Sequence, residues 1–311
     1  MKRILVVIPT KNEEKTIASV INNARRTINE NKLGSSKFLI IDDSTDSTPA
    51  KAKRAGAFIV CGEGKGLGAA MFLGLKKSLA FNPDIIVTID ADGQADANEI
   101  PKFVKPILEN KADLVIGSRF KNQGLINYNM ELSHRIGTKI LVQLLRLITK
   151  LPLTDSHGGL RAMKRGVVES LEMIGTHSYV QETIIDAAGK GFRVLEVPSM
   201  WKRRQYGTTK VVRSIGKYAL LTIPMLILRA GLHTMLFNAL GIILMLGGFI
   251  GFWFVFYQES FSIQHLVNRM PALTLISLLL SVGLQMFFFG FLLNIITDMK
   301  NKLDKLSTKK V

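Results

Sequence analysis

The stretch Val87-Thr-Ile-Asp-Ala-Asp-Gly-Gln94 joins an apolar, β-rich run to two carboxylates, a glycine and an amide. In an open α/β sheet, ligands bind beyond the carboxyl ends of the strands, so these polar residues fall where a binding site is expected. The oxygens of Asp90, Asp92 and Gln94 suit a hard divalent cation, Mg²⁺ or Mn²⁺, that also holds a substrate phosphate. A solvated Asp-Gly turn after a strand would produce the same local pattern.

The composition limits the class of protein. The chain has 311 residues, which allows one large domain or two ordinary ones, and 47% of them are hydrophobic. Its net charge of +17 admits nucleic acid, anionic lipid or phosphate-rich ligands as partners. The single cysteine, Cys61, excludes an internal disulfide bond and a cysteine metal cluster. Met1-Lys-Arg leads directly into a strand-like run, so we expect no secretory signal peptide.

Strand-like and helix-like patterns alternate from the start of the chain to about residue 210, which predicts an α/β domain. The continuous apolar run Ile4–Ile8 is typical of a strand that is buried on both faces. Further strands are predicted at Phe38–Ile41, Ala57–Cys61 and Asp113–Ile116. Their carboxyl ends should meet at one edge of the sheet, where the acidic stretch also ends.

Polar residues follow the first two predicted strands. Pro9 ends the first strand, and Thr10 can cap a helix that is predicted from about Glu13. Asp42 and Asp43 follow the second strand, and acidic residues there can accept hydrogen bonds from a nucleoside. The hydroxyl and acidic residues after Asp43 can also cap the next helix, and both roles are compatible.

Two basic residues lie in the loops that follow other strands. Lys65, in the glycine-rich loop Gly62–Gly68, could reach a phosphate, although no Ser or Thr follows it as in a P-loop. Such a loop is often only flexible. Arg119 follows the strand that ends at Ile116 and could clamp a phosphate, or it could be an ordinary surface residue.

Two amphipathic or basic segments have two interpretations each. The segment Ile136–Ile148 is apolar along one side with interspersed cations, typical of a helix at a membrane surface or of an amphipathic core helix. The segment Arg204-Gln-Tyr-Gly207-Thr-Thr209-Lys210 could fold over a diphosphate as a lid. It could equally be a basic patch that is attracted to anionic lipid.

Two apolar runs, about 235–257 and 272–296, are each long enough to span a bilayer, although a pair of buried core helices is the alternative. Basic residues flank the pair on its outer sides, and the loop between the runs carries only Arg269. The positive-inside rule therefore predicts a multi-pass protein of the cell membrane with both termini and the large N-terminal domain in the cytoplasm. Glycines on the first run permit close helix packing, within one subunit or in a homo-oligomer.

Six motifs occur in a fixed order along the chain. They are Pro9-Thr-Lys-Asn-Glu13, Asp42-Asp43-Ser-Thr-Asp46-Ser-Thr48, Asp90-Ala-Asp92-Gly-Gln94, Gly117-Ser-Arg119, Asp155 with Gly159-Leu-Arg161, and Arg204 with Gly207 and Thr209-Lys210. This set resembles the family 2 glycosyltransferases with the GT-A fold, and within them the polyprenyl-phosphate (dolichyl-phosphate) hexose synthases. The resemblance covers residues 1 to about 215. It implies an α/β catalytic domain with a Rossmann-like mixed sheet (1–212), a juxtamembrane amphipathic segment (213–232), and a two-helix membrane anchor with a basic tail (233–311).

The resemblance also implies a role for each matching residue. Donor-binding residues would be Pro9, Thr10, Glu13, Asp42, Asp43, Lys65, Asp90, Arg204 and Lys210. The metal ligands would be Asp92 and Gln94, and the acceptor phosphate would be held by Arg119, Ser133 and Arg135. Asp90, Asp92 and Arg119 would form the catalytic group. The sequence departs from the family pattern at Thr209-Lys210, where Ser-Lys is commoner, and at His157-Gly158, where a hydroxyl residue is usual before the glycine.

The implied activity is metal-dependent, inverting transfer of a hexose from a nucleotide-sugar to polyprenyl or dolichyl phosphate, which makes a lipid-linked sugar donor for glycan assembly. The acidic motifs resemble the UDP-sugar branch, so UDP-glucose or a UDP-N-acetylhexosamine is favoured over GDP-mannose. Diacylglycerol or a sphingoid base is a rival acceptor. A non-enzymatic membrane protein that binds nucleic acid or anionic lipid would fit the net charge but would leave Asp90 and Asp92 unexplained, so no nucleic-acid partner is expected.

Overall fold

The computed structural model describes residues 1–121, 132–155, 157–172, 179–206, 222, 224, 226–227, 231–258 and 269–308, with side chains for all but 132–134 and 300–308. The chain divides into two compact units, Met1–Leu226 and Ile227–Val311.

A mixed sheet forms the centre of the first unit. Its strands are β1 (Arg3–Thr10), β2 (Ser35–Asp42), β3 (Phe58–Cys61), β4 (Ile85–Thr88), β5 (Leu114–Ser118), β6 (Arg161–Lys164) and β7 (Val194–Pro198). They lie in the order β3-β2-β1-β4-β6-β5-β7. Only β6 among them runs antiparallel to its neighbours, β4 and β5. The α/β architecture with a mixed sheet that the sequence predicts is confirmed, whereas strand β6 was not predicted.

Helices cover both faces of this sheet. They are α1 (Ile17–Glu30), α2 (Thr48–Arg54), α3 (Leu67–Ser78), α4 (Ile100–Leu108), α5 (Leu132–Thr149), α6 (Arg165–Ser170) and α7 (Tyr179–Gly189), with short 3-10 helices at Leu79–Phe81 and Ala97–Glu99. Apolar side chains of α1, α2 and α4 fill one core, and those of α3, α5, α6 and α7 fill the other. Along β1, Val6 and Ile8 belong to the first core and Leu5 and Val7 to the second, because successive side chains of a strand point to opposite faces.

Helix α1 begins later than the sequence predicts. The segment from Glu13 to Thr16 forms a tight turn, in which the amides of Thr16 and Ile17 both donate to the carbonyl of Glu13 (3.1 and 3.0 Å). This turn places the Glu13 side chain at the sheet edge rather than on a helix.

Strand β1 lies between β2 and β4 and runs parallel to both. The chain leaves β1 toward one side of the sheet and leaves β4 toward the other, so a crevice opens beyond their carboxyl ends. The residues that follow β1, β2 and β4 therefore converge at this edge.

Helix α5 has two apolar sides. Leu141 and Leu145 are buried in the core of the domain, whereas Ile136, Ile140 and Leu147 are exposed on the outer surface. The buried side of the helix thus packs in the core, and contact of its exposed apolar side with a membrane surface stays a prediction.

The second unit contains two long helices, Leu232–Gln258 and Met270–Thr308. Both are long and apolar enough to cross a membrane. Only 11% and 17% of their most apolar 18-residue stretches are buried by protein. Most of their apolar surface is therefore exposed, unlike that of a core helix. Gly241 and Gly283 lie where the two helices approach closely, since a Cβ on Gly283 would be 2.8 Å from the Gly241 carbonyl oxygen. The membrane topology and the position of the termini remain predictions.

Candidate active site

The acidic segment after β4 is shaped by a glycine turn. Gly93 has a φ of 74°, a conformation that residues with a Cβ rarely adopt. The turn folds the backbone so that the amide of Gln94 donates to Asp92 Oδ1 (2.9 Å). Asp92 is buried, whereas Asp90 is partly exposed.

Asp90 packs directly against the segment before β6. A Cβ on Gly159 would lie 2.1 Å from Asp90 Oδ2, so a side chain at this position would have to displace the carboxylate. The carbonyl of Gly159 accepts a hydrogen bond from Thr88 Oγ1 (3.0 Å) and a longer one from the Tyr179 hydroxyl (3.4 Å). Loss of hydration, and then the negative charge of Asp92, raise the pKa of Asp90 to about 7.

A buried arginine lies behind this segment. Arg161 is fully buried, and its guanidinium donates to the carbonyl of Gly158 (2.8 Å), the carbonyl of Val180 (2.8 Å) and the hydroxyl of Thr183 (2.5 Å). Its positive charge also acts on Asp90, where it opposes the increase in pKa. Arg161 therefore fixes the Gly158-Gly159 backbone on which the Asp90 carboxylate rests.

Arg204 reaches across the acidic segment from the loop that follows β7. Its Nη2 lies 2.5 Å from Asp92 Oδ2, and its Nη1 lies 3.4 Å from Glu13 Oε1. Burial raises the pKa of Asp92, while the backbone hydrogen bond from Gln94 and the charge of Arg204 act in the opposite direction. The crevice thus holds Glu13, Asp90 and Asp92 around one guanidinium.

Two sets of contacts hold the loop that carries Arg204. Glu99 Oε2 accepts hydrogen bonds from the Ser199 hydroxyl and the Met200 amide (both 2.8 Å). The Lys202 amide donates to the Gln94 carbonyl (2.9 Å), and the Gln94 side-chain amide donates to the Lys202 carbonyl (3.2 Å). The base of the loop is therefore fixed to the acidic segment.

The predicted nucleoside-binding residues lie together at the ends of β1 and β2. Thr10 Oγ1 donates to Asp42 Oδ1 (2.6 Å), and both residues are buried. Asp43 Oδ1 accepts a hydrogen bond from the Gly64 amide (2.9 Å), which ties it to the glycine-rich loop. Pro9 is the penultimate residue of β1. The structure brings these residues to the crevice beside Glu13, and their contacts with a nucleoside remain predictions.

Arg119 is engaged in a buried ion pair. Its Nε and Nη2 donate to the two carboxylate oxygens of Asp155 (2.7 and 2.9 Å), and its guanidinium lies 5.0 Å from the ring centre of Trp201. Burial would raise the pKa of Asp155, but the charge of Arg119 and its hydrogen bonds outweigh burial and lower this pKa to about 2. The sequence motifs contained both residues but not their pairing. A role of Arg119 toward an acceptor phosphate stays a prediction.

The remaining predicted site residues are exposed, or their side chains lie outside the described part of the chain. Lys65 is exposed and pairs with Glu63 (2.6 Å). Arg135 is exposed on α5, and Ser133 lies in the first turn of the same helix, with its side chain outside the described part. Lys210 also lies outside the described residues. Their predicted roles therefore rest on the sequence.

The acidic segment offers few protein ligands for a metal ion. Among the described residues, no group of three His, Cys, Asp or Glu side chains could enclose a metal. A cation that bridges substrate phosphates needs only one or two carboxylates from the protein. Asp92, with the amide oxygen of Gln94, provides such a donor set, so the residues fit a Mg²⁺ or Mn²⁺ ion that is shared with a diphosphate.

Comparison with known proteins assigns this architecture to a family. The model of the family described as glycosyl transferase family 2 matches residues 5–172. The chain belongs to glycosyl transferase family 2. It is therefore a glycosyltransferase with a GT-A-like domain, as the ordered motifs predict, followed by two apolar helices.

Relatives within this glycosyltransferase family have named activities. A UDP-N-acetylglucosamine–dolichyl-phosphate N-acetylglucosaminyltransferase of Methanococcus voltae is 32% identical and matches 63% of this chain and 84% of its own length. A polyprenol monophosphomannose synthase of Mycolicibacterium smegmatis is 28% identical over 68% of this chain and 81% of its own length.

A solved structure shares the fold of this glycosyltransferase. Glucosyl-3-phosphoglycerate synthase of Mycobacterium tuberculosis, in complex with Mn²⁺, uridine diphosphate and glucosyl-3-phosphoglycerate, is 25% identical with a TM-score of 0.57. The match covers 74% of this chain and 80% of that protein.

Proposed function

We propose that this glycosyltransferase moves a hexose from a nucleotide-sugar to polyprenyl or dolichyl phosphate, in a reaction that depends on Mg²⁺ or Mn²⁺. The observation that carries the proposal is the cluster of Glu13, Asp90, Asp92 and Arg204 at the crevice between β1 and β4. The carboxylates can bind the metal ion of a nucleotide, and the long side chain of Arg204 can bind its diphosphate. The names of the Methanococcus and Mycolicibacterium relatives support a lipid phosphate as the acceptor.

The donor would lie along the carboxyl ends of β1, β2 and β4. Pro9, Thr10, Asp42 and Asp43 would frame the nucleoside, since carboxylates at a strand end can accept hydrogen bonds from ribose and base. The diphosphate would then reach Asp92 and Gln94, where a bound cation would neutralise charge on the departing nucleoside diphosphate.

Asp90 and the basic residues have separate roles in this proposal. Asp90, which packs against Gly159, would contact the donor sugar. Arg204, with Lys210 and Lys65, would bind the diphosphate oxygens, because cations form strong hydrogen bonds with phosphates.

The acceptor phosphate would attack the anomeric carbon of the sugar. Its oxygen forms the new bond to this carbon while the bond from the carbon to the diphosphate oxygen breaks, and the nucleoside diphosphate leaves with the electron pair. A phosphate monoester is already anionic near neutral pH, so the attack needs no strong general base. Arg119, Ser133 and Arg135 would orient it, and in-line attack would invert the anomeric configuration.

A UDP-sugar is the favoured donor. The acidic motifs Asp42–Asp46 and Asp90–Gln94 resemble the UDP-sugar branch, and the Methanococcus relative is named for UDP-N-acetylglucosamine. GDP-mannose is the alternative, and the Mycolicibacterium relative, named as a mannose synthase, supports it.

The membrane would place the enzyme beside a substrate that stays in the bilayer. The two apolar helices would span the cell membrane, with the catalytic domain and both termini in the cytoplasm, as the distribution of basic residues predicts. Reagent labelling of single cysteines in a Cys61→Ser chain, in intact cells and in lysed cells, tests this topology.

The reaction itself is tested with the full chain in lipid nanodiscs that contain polyprenyl phosphate. Radiolabelled UDP-glucose, UDP-N-acetylglucosamine and GDP-mannose are supplied separately with Mn²⁺, with Mg²⁺ or with EDTA. We expect lipid-linked label from one UDP-sugar, and its loss with EDTA. Transfer from GDP-mannose alone would reverse the donor assignment, and transfer that is unaffected by EDTA would remove the metal from the proposal.

A further inference from the structure

The guanidinium of Arg204 is positioned between the carboxylate of Asp92, a proposed metal ligand, and the carboxylate of Glu13. It lies 2.5 Å from Asp92 Oδ2 and 3.4 Å from Glu13 Oε1. The side chain of Arg204 is 19% exposed, and those of Glu13 and Asp92 are 10% and 9% exposed. Water therefore screens these charges only weakly, and the ion pairs belong to the interior of the crevice.

The start of the loop that carries Arg204 is held by hydrogen bonds, and the Arg204 side chain is long. The Glu99 contacts hold residues 199 and 200, and the Gln94 contacts hold residue 202. The guanidinium can therefore move by side-chain rotation while the base of the loop stays against the acidic segment. A diphosphate bound through a cation at Asp92 would lie near the guanidinium, because Arg204 already contacts that carboxylate.

Arg204 and a divalent cation would make conflicting demands on Asp92. Both would use its carboxylate, and two positive groups that share one carboxylate in a weakly screened crevice repel each other. A nucleoside diphosphate removes the conflict, because its oxygens supply new partners for the guanidinium and further ligands for the cation.

We propose that Arg204 and a divalent cation compete for Asp92, so that the site takes up the cation together with a nucleoside diphosphate rather than alone. In this proposal Arg204 opposes binding of the free cation and favours binding of the cation–nucleotide complex, onto whose phosphates it turns. The bound species is then the metal complex of the nucleotide-sugar. This inference rests on the proposed function, because it concerns the metal and the diphosphate of that same site.

The two effects of Arg204 have opposite signs, which makes the inference testable without an activity assay. Binding of Mn²⁺ to the full chain in nanodiscs is measured by electron paramagnetic resonance, first without nucleotide and then with UDP. In Arg204→Gln we expect free Mn²⁺ to bind about tenfold more tightly than in the wild type, because one positive charge beside the carboxylate is lost. Binding of UDP at saturating Mn²⁺ should weaken by about tenfold in the same variant.

Two further variants separate this role from a structural one. Arg203→Gln removes the same charge from an exposed neighbour on the same loop and should leave both affinities at wild-type values. Arg204→Lys keeps the charge beside Asp92, so its affinity for free Mn²⁺ should stay near that of the wild type. A thermal unfolding scan of each variant identifies any chain that has lost its fold. If Arg204→Gln is unfolded, Arg204→Met, which also removes the charge, takes its place in both titrations.

Each outcome decides between the inference and the function on which it rests. Equal or weaker binding of free Mn²⁺ in Arg204→Gln, with wild-type binding of Mn²⁺ and UDP together, overturns the competition but leaves the metal site. A wild-type chain that binds no Mn²⁺ even with UDP overturns the metal site itself, and the inference with it.

Discussion

The carboxylate of Asp90 occupies the space in which a side chain at residue 159 would begin, since a Cβ on Gly159 would lie 2.1 Å from Asp90 Oδ2. Thr88 holds the Gly159 carbonyl from the neighbouring strand, and Arg161 holds the preceding carbonyl of Gly158. The proposed donor-binding carboxylate thus packs against backbone that the buried side chains of Thr88 and Arg161 hold in place.

The variant Gly159→Ala should displace the Asp90 carboxylate from its present position, because the added Cβ would overlap it. We expect glycosyl transfer to fall by about 10²-fold, a loss typical when one preorganised polar group is misplaced. Overpacking should also cost about 1–3 kcal/mol of stability. Initial rates and thermal unfolding of the variant are the measurements.

A matched control and a double variant identify the cause. Gly166→Ala places its Cβ in open space within helix α6, so it should leave the rate unchanged and should not lower the stability. In an Asp90→Ala chain, Gly159→Ala should cost little further stability, because the clashing carboxylate is absent. An undiminished loss of stability in the double variant would show that the clash with Asp90 is not the cause.

Asp92→Ala should abolish metal-dependent transfer while the domain stays folded. The variant loses the carboxylate that would bind the cation, and we expect the rate to fall by at least about 10²-fold. Rates over a Mn²⁺ titration and circular dichroism are the measurements. Near-normal turnover in this variant would remove Asp92 from the metal site.

The ion pair between Arg119 and Asp155 should support the fold at neutral pH. Removing the charge of Asp155 in Asp155→Asn leaves a buried guanidinium without its carboxylate, which should cost about 3–5 kcal/mol. Thermal unfolding of the wild type and the variant at pH 7 measures this difference.

The pH dependence of that difference has a definite sign. The pKa of Asp155 is lowered to about 2 in the folded chain. The contribution of the ion pair to the free energy of unfolding is therefore fully present above the pKa of the unfolded chain, about 3.9. It is lost as the pH falls from about 4 toward 2. The gap between wild type and Asp155→Asn should therefore narrow across that range, and a gap that widens on acidification would contradict the ion-pair account.

The prediction for the acceptor concerns Arg135. Arg135→Gln should raise the KM for polyprenyl phosphate by about tenfold and leave the KM for the donor unchanged, because the residue is exposed on α5 and would contact only the acceptor. Lys139→Gln, exposed on the same helix, is the control for general loss of positive charge. Equal effects of both variants would indicate attraction to the membrane surface rather than a phosphate contact.

The two apolar helices pack through glycines within one chain. A Cβ on Gly283 would lie 2.8 Å from the Gly241 carbonyl oxygen, whereas a Cβ on Gly247 would meet open space. Gly283→Val should therefore lower the thermal stability of the solubilised protein, and Gly247→Val should not. If Gly247→Val lowered the thermal stability and Gly283→Val did not, a second copy of the chain, rather than the second helix, would cover the first helix.

The sequence predicts most of the crevice, because polar residues directly follow the predicted strands. The apolar run of β1 predicts a strand buried on both faces, and the polar residues after β1, β2 and β4 converge as parallel strands require. Strand β6 was missed, because its four residues, Arg161-Ala-Met-Lys164, show neither an apolar run nor clear alternation. Its pairing with β4 and β5 makes it a strand, and such long-range pairing leaves little local signal.

Side-chain pairing across the fold was the other feature that sequence patterns could not predict. Arg119 and Asp155 stand in separate motifs, and only the adjacent positions of β5 and the segment before β6 bring them together. The contact of Arg204 with Asp92 spans an even longer separation. Glu99, which anchors the loop after β7, resembles an ordinary helix-start acid in the sequence.

A cation at Asp92 that holds the nucleotide is the central feature of the proposed site. The most direct measurement is an anomalous difference map at the manganese edge, from the full chain crystallised with UDP and Mn²⁺. We predict one peak in bonding contact with the Asp92 carboxylate and the UDP diphosphate, with Arg204 turned onto the phosphates. A manganese peak or a nucleotide located away from Asp90 and Asp92 would contradict the account.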